Sequence, residues 1–185
     1  LLMGNTVVLK PSPLTPYQAL IFADAAEAVG LPAGVLNIIN GGIETGNLIT
    51  TDKRVDMVSF TGSDKVGAAI AAQAAPTLKK THMELGGKSA FIVRHDADIG
   101  GAVQAGLTGF VTHCGQGCAL TTRHIVHNAI RPHYVAAMQQ AVAQIKVGNP
   151  GDPSVMMGPL IRENARQRVE HFVQSALDSG GKLMA

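Results

Sequence analysis

The sequence predicts an α/β fold in which a parallel sheet is covered by helices on both faces. Short apolar, β-branched runs such as Thr6-Val7-Val8-Leu9 alternate with segments whose apolar residues recur at helical spacing. Strand–helix–strand repeats of this length join parallel neighbours. Hydrophobic residues make up 46% of the 185 residues and charged residues 15%, which is typical of a globular protein with a buried core.

Each element begins or ends at a residue that favours its boundary. The first strand stops before Pro11, and the helix predicted over 16–29 is followed by Gly30, a typical residue at a helix C-terminus. The same patterns predict further strands over 35–39, 55–60 and 123–127, and further helices over 44–50, 64–75, 132–145 and 163–177. Because parallel sheets bind ligands where strand ends meet helix starts, a ligand-binding site is expected at these junctions.

Composition and charge exclude several classes of function. The formal charge of +2 is spread thinly and aromatic residues are only 4%, so no nucleic-acid surface is expected. Apolar runs are all shorter than the roughly 18 residues of a membrane span, so no membrane is expected either. Two cysteines are too few for a disulfide scaffold, which favours a reducing, cytoplasmic setting. A start at Leu1 within a strand-like segment favours a piece of a longer protein.

The junction Phe60-Thr61-Gly62-Ser63 lies between a predicted strand and a predicted helix. Free backbone N–H groups and the helix dipole could receive a phosphate there, and Gly62 would let the backbone approach closely. The alternative is an ordinary helix N-terminus that Ser63 caps. The pattern alone favours the ordinary cap.

Glu84 stands between Met83 and Leu85, directly ahead of Gly86-Gly87. A half-buried carboxylate in such an apolar setting could take a proton from a thiol or a water near neutral pH. The alternative is a glutamate exposed in a turn. The two glycines would suit a tight passage between strands or between domains.

Both cysteines lie in His113-Cys114-Gly115-Gln116-Gly117-Cys118. The pair could form a disulfide, contribute to a metal site, or consist of one nucleophile and a neighbour. A zinc site is a poor fit, because His124 and His127 would point to opposite faces of one strand. Two inert cysteines remain an alternative at this point.

Five motifs occur together in one order along the chain. They are Val8-Leu9-Lys10-Pro11-Ser12, Phe60-Thr61-Gly62-Ser63 with Val66-Gly67, Glu84-Leu85-Gly86-Gly87-Lys88-Ser89, Gly115-Gln116-Gly117-Cys118 and Met157-Gly158-Pro159-Leu160. In order and spacing they resemble the aldehyde dehydrogenase superfamily over residues 1–185, as the middle of a longer enzyme. The resemblance implies a Rossmann-like parallel sheet with helices on both faces, followed by part of a second α/β catalytic domain. Residues 1–84 would be the second half of the NAD(P)-binding domain, and 85–185 the N-terminal part of the catalytic domain.

The resemblance also implies an activity and its residues. Cys118 would be the nucleophile that attacks an aldehyde, forming a thiohemiacetal that loses hydride to NAD or NADP and leaves a thioester. Glu84 would be the general base that activates the thiol or the hydrolytic water. The implied cofactor-binding residues are Lys10, Ser12, Thr61, Gly62, Ser63, Val66 and Leu85. No metal is implied, the substrate is a small-molecule aldehyde, and the full-length enzyme would be a homo-oligomer.

Departures from the family pattern modify these expectations. Pro13 stands where a glutamate often repels a 2′-phosphate, so tolerance of NADP alongside NAD is expected. His113 replaces the usual asparagine, and Cys114 is expected to be a non-catalytic neighbour of Cys118. Because the asparagine of the family's oxyanion hole lies upstream of Leu1, the isolated chain is expected to be poorly active. A relative that keeps the fold without catalysis remains an alternative, as does a small zinc-binding module.

Overall fold

The computed structural model describes residues 1–185 and contains three strand–helix–strand repeats. The strands are β1 (Val7–Leu9), β2 (Leu36–Ile38), β3 (Met57–Thr61), β4 (Lys80–Glu84), β5 (Ala90–Val93) and β6 (Arg123–Val126). The helices are α1 (Tyr17–Ala28), α2 (Ile43–Thr51), α3 (Asp64–Ala74), α4 (Ile99–Val111), α5 (Arg131–Val142) and α6 (Glu163–Asp178). Helices α1, α3 and α4 each connect two parallel strands, which is the βαβ arrangement that the alternation of patterns predicts.

The α/β class is confirmed, but the strands do not form one continuous sheet. They form three parallel pairs, β1–β2, β3–β4 and β5–β6, each with its own register. The strands are parallel as expected, but their division into separate pairs could not be read from the sequence. The reason is that the apolar pattern of a strand predicts its face and its length, and does not encode which other strand lies beside it.

The chain divides into two compact units, Leu1–Leu85 and Gly86–Ala185. The division falls one residue beyond the boundary expected from the sequence. The assignment of the first unit to a cofactor-binding domain and of the second to a catalytic domain stays a prediction.

In the first unit, small and branched apolar side chains fill the space beside the β3–β4 pair. Val58 on β3 is buried, as are Ile70 and Ala74 on α3. Helices α2 and α3 are also joined by polar contacts, since the Thr50 hydroxyl donates to the side-chain Oε1 of Gln73 at 2.5 Å. This packing places the start of α3 directly after the carboxyl end of β3.

In the second unit, the buried core lies between the β5–β6 pair and helices α4 and α5. Val93 of β5, Val103 of α4 and Tyr134 of α5 form its centre. Helix α4 begins at an Asp98 cap, whose carboxylate accepts from the Gly101 N–H at 2.8 Å, and ends just before the cysteine segment. The core therefore fixes the direction from which the chain enters that segment.

Three elements were not predicted from the sequence. Strands β4 and β5 and helix α4 lie in the stretch between the predicted helix 64–75 and the predicted strand 123–127. In β4 the alternation Lys80-Thr81-His82-Met83-Glu84 carries only one strongly apolar residue, so its pattern is that of an exposed strand. In α4 the many glycines lower the helix propensity, and packing against α5 and the strands overrides it.

Candidate active site

Lys10 lies at the carboxyl end of β1, where two carbonyl groups hold its ammonium group. The Nζ atom donates to the carbonyl oxygen of Pro11 at 2.9 Å and to that of Gly41 at 3.1 Å. Because Gly41 follows β2, the lysine bridges the carboxyl ends of two parallel strands. Ser12 closes the turn after β1, since its hydroxyl accepts from the Leu14 N–H at 3.2 Å.

The carboxyl ends of β3 and β4 lie side by side. Thr61 pairs with Glu84 in the register of the two strands, and the Gly62 N–H donates to the Glu84 carbonyl oxygen at 3.0 Å. The Ser63 hydroxyl accepts from the Val66 N–H at 3.4 Å and caps α3, as the sequence predicts. The structure thus brings Thr61, Gly62, Ser63 and Glu84 together at one edge.

Two glycines at this edge leave no room for a side chain. A Cβ atom on Gly62 would lie 2.4 Å from the Phe60 ring, and one on Gly67 would lie 2.6 Å from Leu85 Cδ2. Leu85 therefore packs directly on the first turns of α3. The Gly62 N–H is bonded to the Glu84 carbonyl oxygen, so it is not among the free N–H groups expected at this junction.

The Glu84 carboxylate is exposed. Its side chain is 56% exposed, and Nε2 of His82 lies 3.3 Å from its Oε1. Of the two settings that the sequence left open, Glu84 has the exposed one, at the end of a strand rather than in a turn. The physical reason is that β4 has a single strand neighbour, and His82 and Glu84 share its exposed face two residues apart.

The segment before Cys118 has an uncommon backbone conformation. His113, Cys114 and Gly115 have φ angles of 50°, 56° and 74°, which lie in the left-handed region. Glycine adopts this region freely, but a residue with a Cβ atom pays roughly 1–2 kcal/mol for it. Tertiary contacts must therefore hold His113 and Cys114 in place.

The two thiols are free and lie in different settings. Cys114 is half-buried, and its Sγ donates to the carbonyl oxygen of Gly158 at 3.4 Å. Cys118 is exposed at a turn that the Leu120 N–H closes on the Gly117 carbonyl oxygen at 3.3 Å. Cys118 is thus the more exposed of the two cysteines, whereas the Cys114 thiol is hydrogen-bonded to Gly158.

Gly87 lies against the backbone of Cys118. A Cβ atom at Gly87 would lie 3.2 Å from the Cys118 carbonyl oxygen, which is closer than most side chains are packed. The glycine predicted to permit a tight passage therefore does so beside the cysteine. This contact joins two of the five sequence motifs in space.

The remaining histidines do not gather with the cysteines. His124 packs against Phe91 and Phe110, while the ring of His127 contacts His95 with 5.4 Å between centroids. The structure contains no cluster of three or more His, Cys, Asp or Glu side chains that could hold a metal ion. No helix has the length and apolar character needed to cross a membrane.

The chain matches a known protein family over its whole length. The aldehyde dehydrogenase family matches residues 1–185. A vanillin dehydrogenase from Amycolatopsis sp. is 41% identical over 186 residues, which cover 100% of this chain and 38% of that protein. This chain therefore spans little more than a third of the length of the curated relative.

Solved structures show the same similarity in three dimensions. A betaine aldehyde dehydrogenase from Staphylococcus aureus, in complex with NAD+, superimposes with a TM-score of 0.95 and 35% identity over 97% of this chain and 37% of its own. An NADP-dependent enzyme from E. coli superimposes with a TM-score of 0.90 and 38% identity over 95% of this chain and 37% of its own. Because the family matches it over residues 1–185, the chain belongs to the aldehyde dehydrogenase family.

Proposed function

We propose that these 185 residues act as part of a longer NAD(P)-dependent aldehyde dehydrogenase, in which Cys118 is the nucleophile. The observation that carries this proposal is the asymmetry of the two thiols within a chain that matches the family along its whole length. Cys118 is exposed at a tight turn, while Cys114 is bonded to Gly158. A nucleophile must be reachable by its substrate, and Cys118 is the more exposed of the two cysteines.

The residues proposed to bind the dinucleotide fit that role by their placement in the first unit. Lys10 and Ser12 follow β1, and the others lie at the carboxyl ends of β3 and β4 or on the first turn of α3. These others are Thr61, Gly62, Ser63, Val66 and Leu85. Strand ends and helix starts of this kind are where parallel α/β proteins bind nucleotides. Bound NAD(P)+ would supply the hydride acceptor.

The chemistry of the chain's own residues is then as follows. The Cys118 thiolate forms a bond to the aldehyde carbon and gives a tetrahedral thiohemiacetal. After oxidation of that carbon, the acyl group stays on Cys118 as a thioester. Glu84 accepts a proton from the water that attacks the thioester carbon, the C–S bond breaks, and the acid is released as Cys118 leaves as a thiolate. Its exposed carboxylate is able to reach solvent water directly.

Exposed apolar side chains support the proposal that further parts of the protein cover this chain. Phe22 on α1, Leu48 on α2 and Phe172 on α6 are 61%, 71% and 67% exposed. Large exposed apolar areas usually mark surfaces that another polypeptide covers. The complete protein is proposed to be a cytoplasmic homo-oligomer that takes a small-molecule aldehyde.

We propose that the complete protein accepts both NAD and NADP. Pro13 is exposed and uncharged, and it follows the Lys10 turn. No carboxylate at this position repels a 2′-phosphate. The similarity to both an NAD+ complex and an NADP-dependent enzyme supports tolerance of the two cofactors.

The test compares two alanine variants in the complete protein. Cys118→Ala is expected to lower aldehyde-dependent reduction of NAD+ by about three orders of magnitude or more. Cys114→Ala is the matched control, because it removes a thiol four residues away and is expected to retain most of the activity. Activity that survives Cys118→Ala would refute the assignment of the nucleophile. A complete protein that binds NAD+ and oxidises no aldehyde would instead support a non-catalytic relative.

A further inference from the structure

A chain of hydrogen bonds links Tyr134 on α5 to the backbone just after Cys118. The Tyr134 hydroxyl lies 2.8 Å from His124 Nδ1, and His124 Nε2 lies 3.1 Å from the carbonyl oxygen of Thr121. A carbonyl oxygen only accepts, so Nε2 carries the proton. In the neutral ring Nδ1 is then an acceptor, and the Tyr134 hydroxyl donates to it. The tyrosine thus selects the tautomer that can hold Thr121.

The imidazole ring is flanked by aromatic rings as well as hydrogen-bonded. The rings of Phe91 and Phe110 lie with their centroids 5.1 Å and 5.7 Å from that of His124. Gly106 on α4 admits the pair, because a Cβ atom there would lie 2.7 Å from the Tyr134 oxygen and 2.9 Å from His124 Cε1. Tyr134 is only 3% exposed. The ring therefore has little freedom to turn away from Thr121.

Thr121 connects this arrangement to the cysteine. It lies three residues after Cys118, directly after the turn that the Leu120 N–H closes on Gly117. Its hydroxyl packs on Gly109 of α4, where a Cβ atom would lie 2.4 Å away. The backbone from Cys118 to Thr121 is thus fastened to the core at its far end by the His124 ring.

We propose that His124 is a positioning residue, which holds the Cys118 turn through the Thr121 carbonyl group, with Tyr134 setting its tautomer. The inference rests on the proposed role of Cys118 as nucleophile. Reaction rates depend steeply on where a nucleophile is held, since a displacement of about 1 Å can cost roughly 100-fold. His124 itself touches no reacting atom.

Three variants of the complete protein separate this role from simple packing. His124→Leu introduces an apolar side chain of similar size and removes both hydrogen bonds. His124→Gln restores a donor for Thr121 and an acceptor for Tyr134. His127→Leu is the matched control, because it makes the same change in an exposed histidine three residues along the chain.

Hydrogen exchange of residues 117–122 is the first measurement. His124→Leu is expected to speed exchange in this segment about fivefold, the factor for losing one net hydrogen bond. His124→Gln and His127→Leu are expected to leave it near the wild-type rate. Unchanged exchange in His124→Leu would overturn the proposal, as would equal acceleration in the leucine and glutamine variants, which would indicate packing alone.

Steady-state kinetics is the second measurement. His124→Leu is expected to lower kcat by about tenfold or more while the KM for NAD+ stays within about twofold. His124→Gln is expected to recover most of the loss. A kcat that does not change, although exchange is faster, would overturn the positioning role. Hydrogen exchange needs no turnover, so failure of the proposed enzyme activity would be recognised separately.

Discussion

Replacing Gly106 by alanine tests whether the close approach of α4 to the His124–Tyr134 pair is rigid. In an exposed helix this substitution usually stabilises, because glycine is about 1 kcal/mol less favourable than alanine in a helix interior. At Gly106 the added Cβ atom would lie 2.7 Å from the Tyr134 hydroxyl, 2.9 Å from His124 Cε1 and 3.3 Å from Met138 Cε. The perturbation therefore sets helix propensity against overpacking.

The magnitude follows from which neighbours can move. The Met138 methyl group lies at the end of a flexible side chain and can shift at little cost. Tyr134 is 3% exposed, and its hydroxyl is bonded to His124 at 2.8 Å, so neither ring can withdraw without losing that bond. Overpacking of this kind costs about 1–3 kcal/mol. Against a propensity gain of about 1 kcal/mol, Gly106→Ala is expected to lower the free energy of unfolding by about 1 kcal/mol.

The assay is urea denaturation, with Gly100→Ala as the control on the same helix. At Gly100 the nearest atom to an added Cβ is Asp98 Oδ1 at 3.8 Å, an ordinary contact, so that variant is expected to gain about 0.5 kcal/mol. The two variants should shift the urea midpoint in opposite directions with little change in slope. If Gly106→Ala shifted the midpoint upward as Gly100→Ala does, the close approach of α4 to the two rings would not exist in solution.

Three further predictions concern the helix cap, the buried tyrosine and the cofactor. Ser63→Ala removes the hydroxyl that accepts from the Val66 N–H and is expected to lower the free energy of unfolding in urea by about 0.5–1 kcal/mol. Ser63→Asp should keep the cap. Equal urea midpoints for wild type and both variants would contradict the capping role. Burial raises the pKa of Tyr134, so the stability that its neutral form contributes is complete below about pH 10 and is lost as the pH rises through the raised pKa. Tyr134→Phe should therefore reduce the loss of stability above pH 10 relative to wild type. Tyr17→Phe, at a 79% exposed side chain, should leave that loss unchanged. Pro13→Glu in the complete protein should lower kcat/KM with NADP+ by about tenfold relative to kcat/KM with NAD+, which is the factor for about 1.4 kcal/mol of charge repulsion. An unchanged ratio of the two kcat/KM values would count against the proposal that position 13 governs NADP tolerance.

Several features of the fold could be predicted from local sequence. Helix α1 and helix α6 lie within about one residue of their predicted bounds, because their apolar spacing and stop residues are local signals. Ser63 caps α3 as its position predicts. Strand β4 could not be found in this way, since it is exposed along most of its length and offers no apolar alternation.

The candidate site likewise combines features that the sequence predicted with features that only the structure shows. The motif spacing alone distinguished Cys118 from Cys114 by resemblance, and the structure adds that Cys114 is bonded to Gly158 while Cys118 is exposed. The sequence left Glu84 either half-buried or exposed, and the structure decides for exposure, because burial depends on which strands flank β4. The link from Tyr134 to Thr121 was not foreseen, since the nine residues between His124 and Tyr134 carry no local signal that the two side chains meet.

The sequence by itself determined the α/β class, the order of most elements and the family, because periodicity, capping and motif spacing are properties of neighbouring residues along the chain. Only the tertiary structure decided the pairing of strands into three parallel pairs, the exposure of Glu84, and the packing of His124 against two aromatic rings beside Gly106. These depend on contacts between residues that are distant in sequence. Such contacts form where the packing free energy of the whole chain exceeds the local preference of each segment.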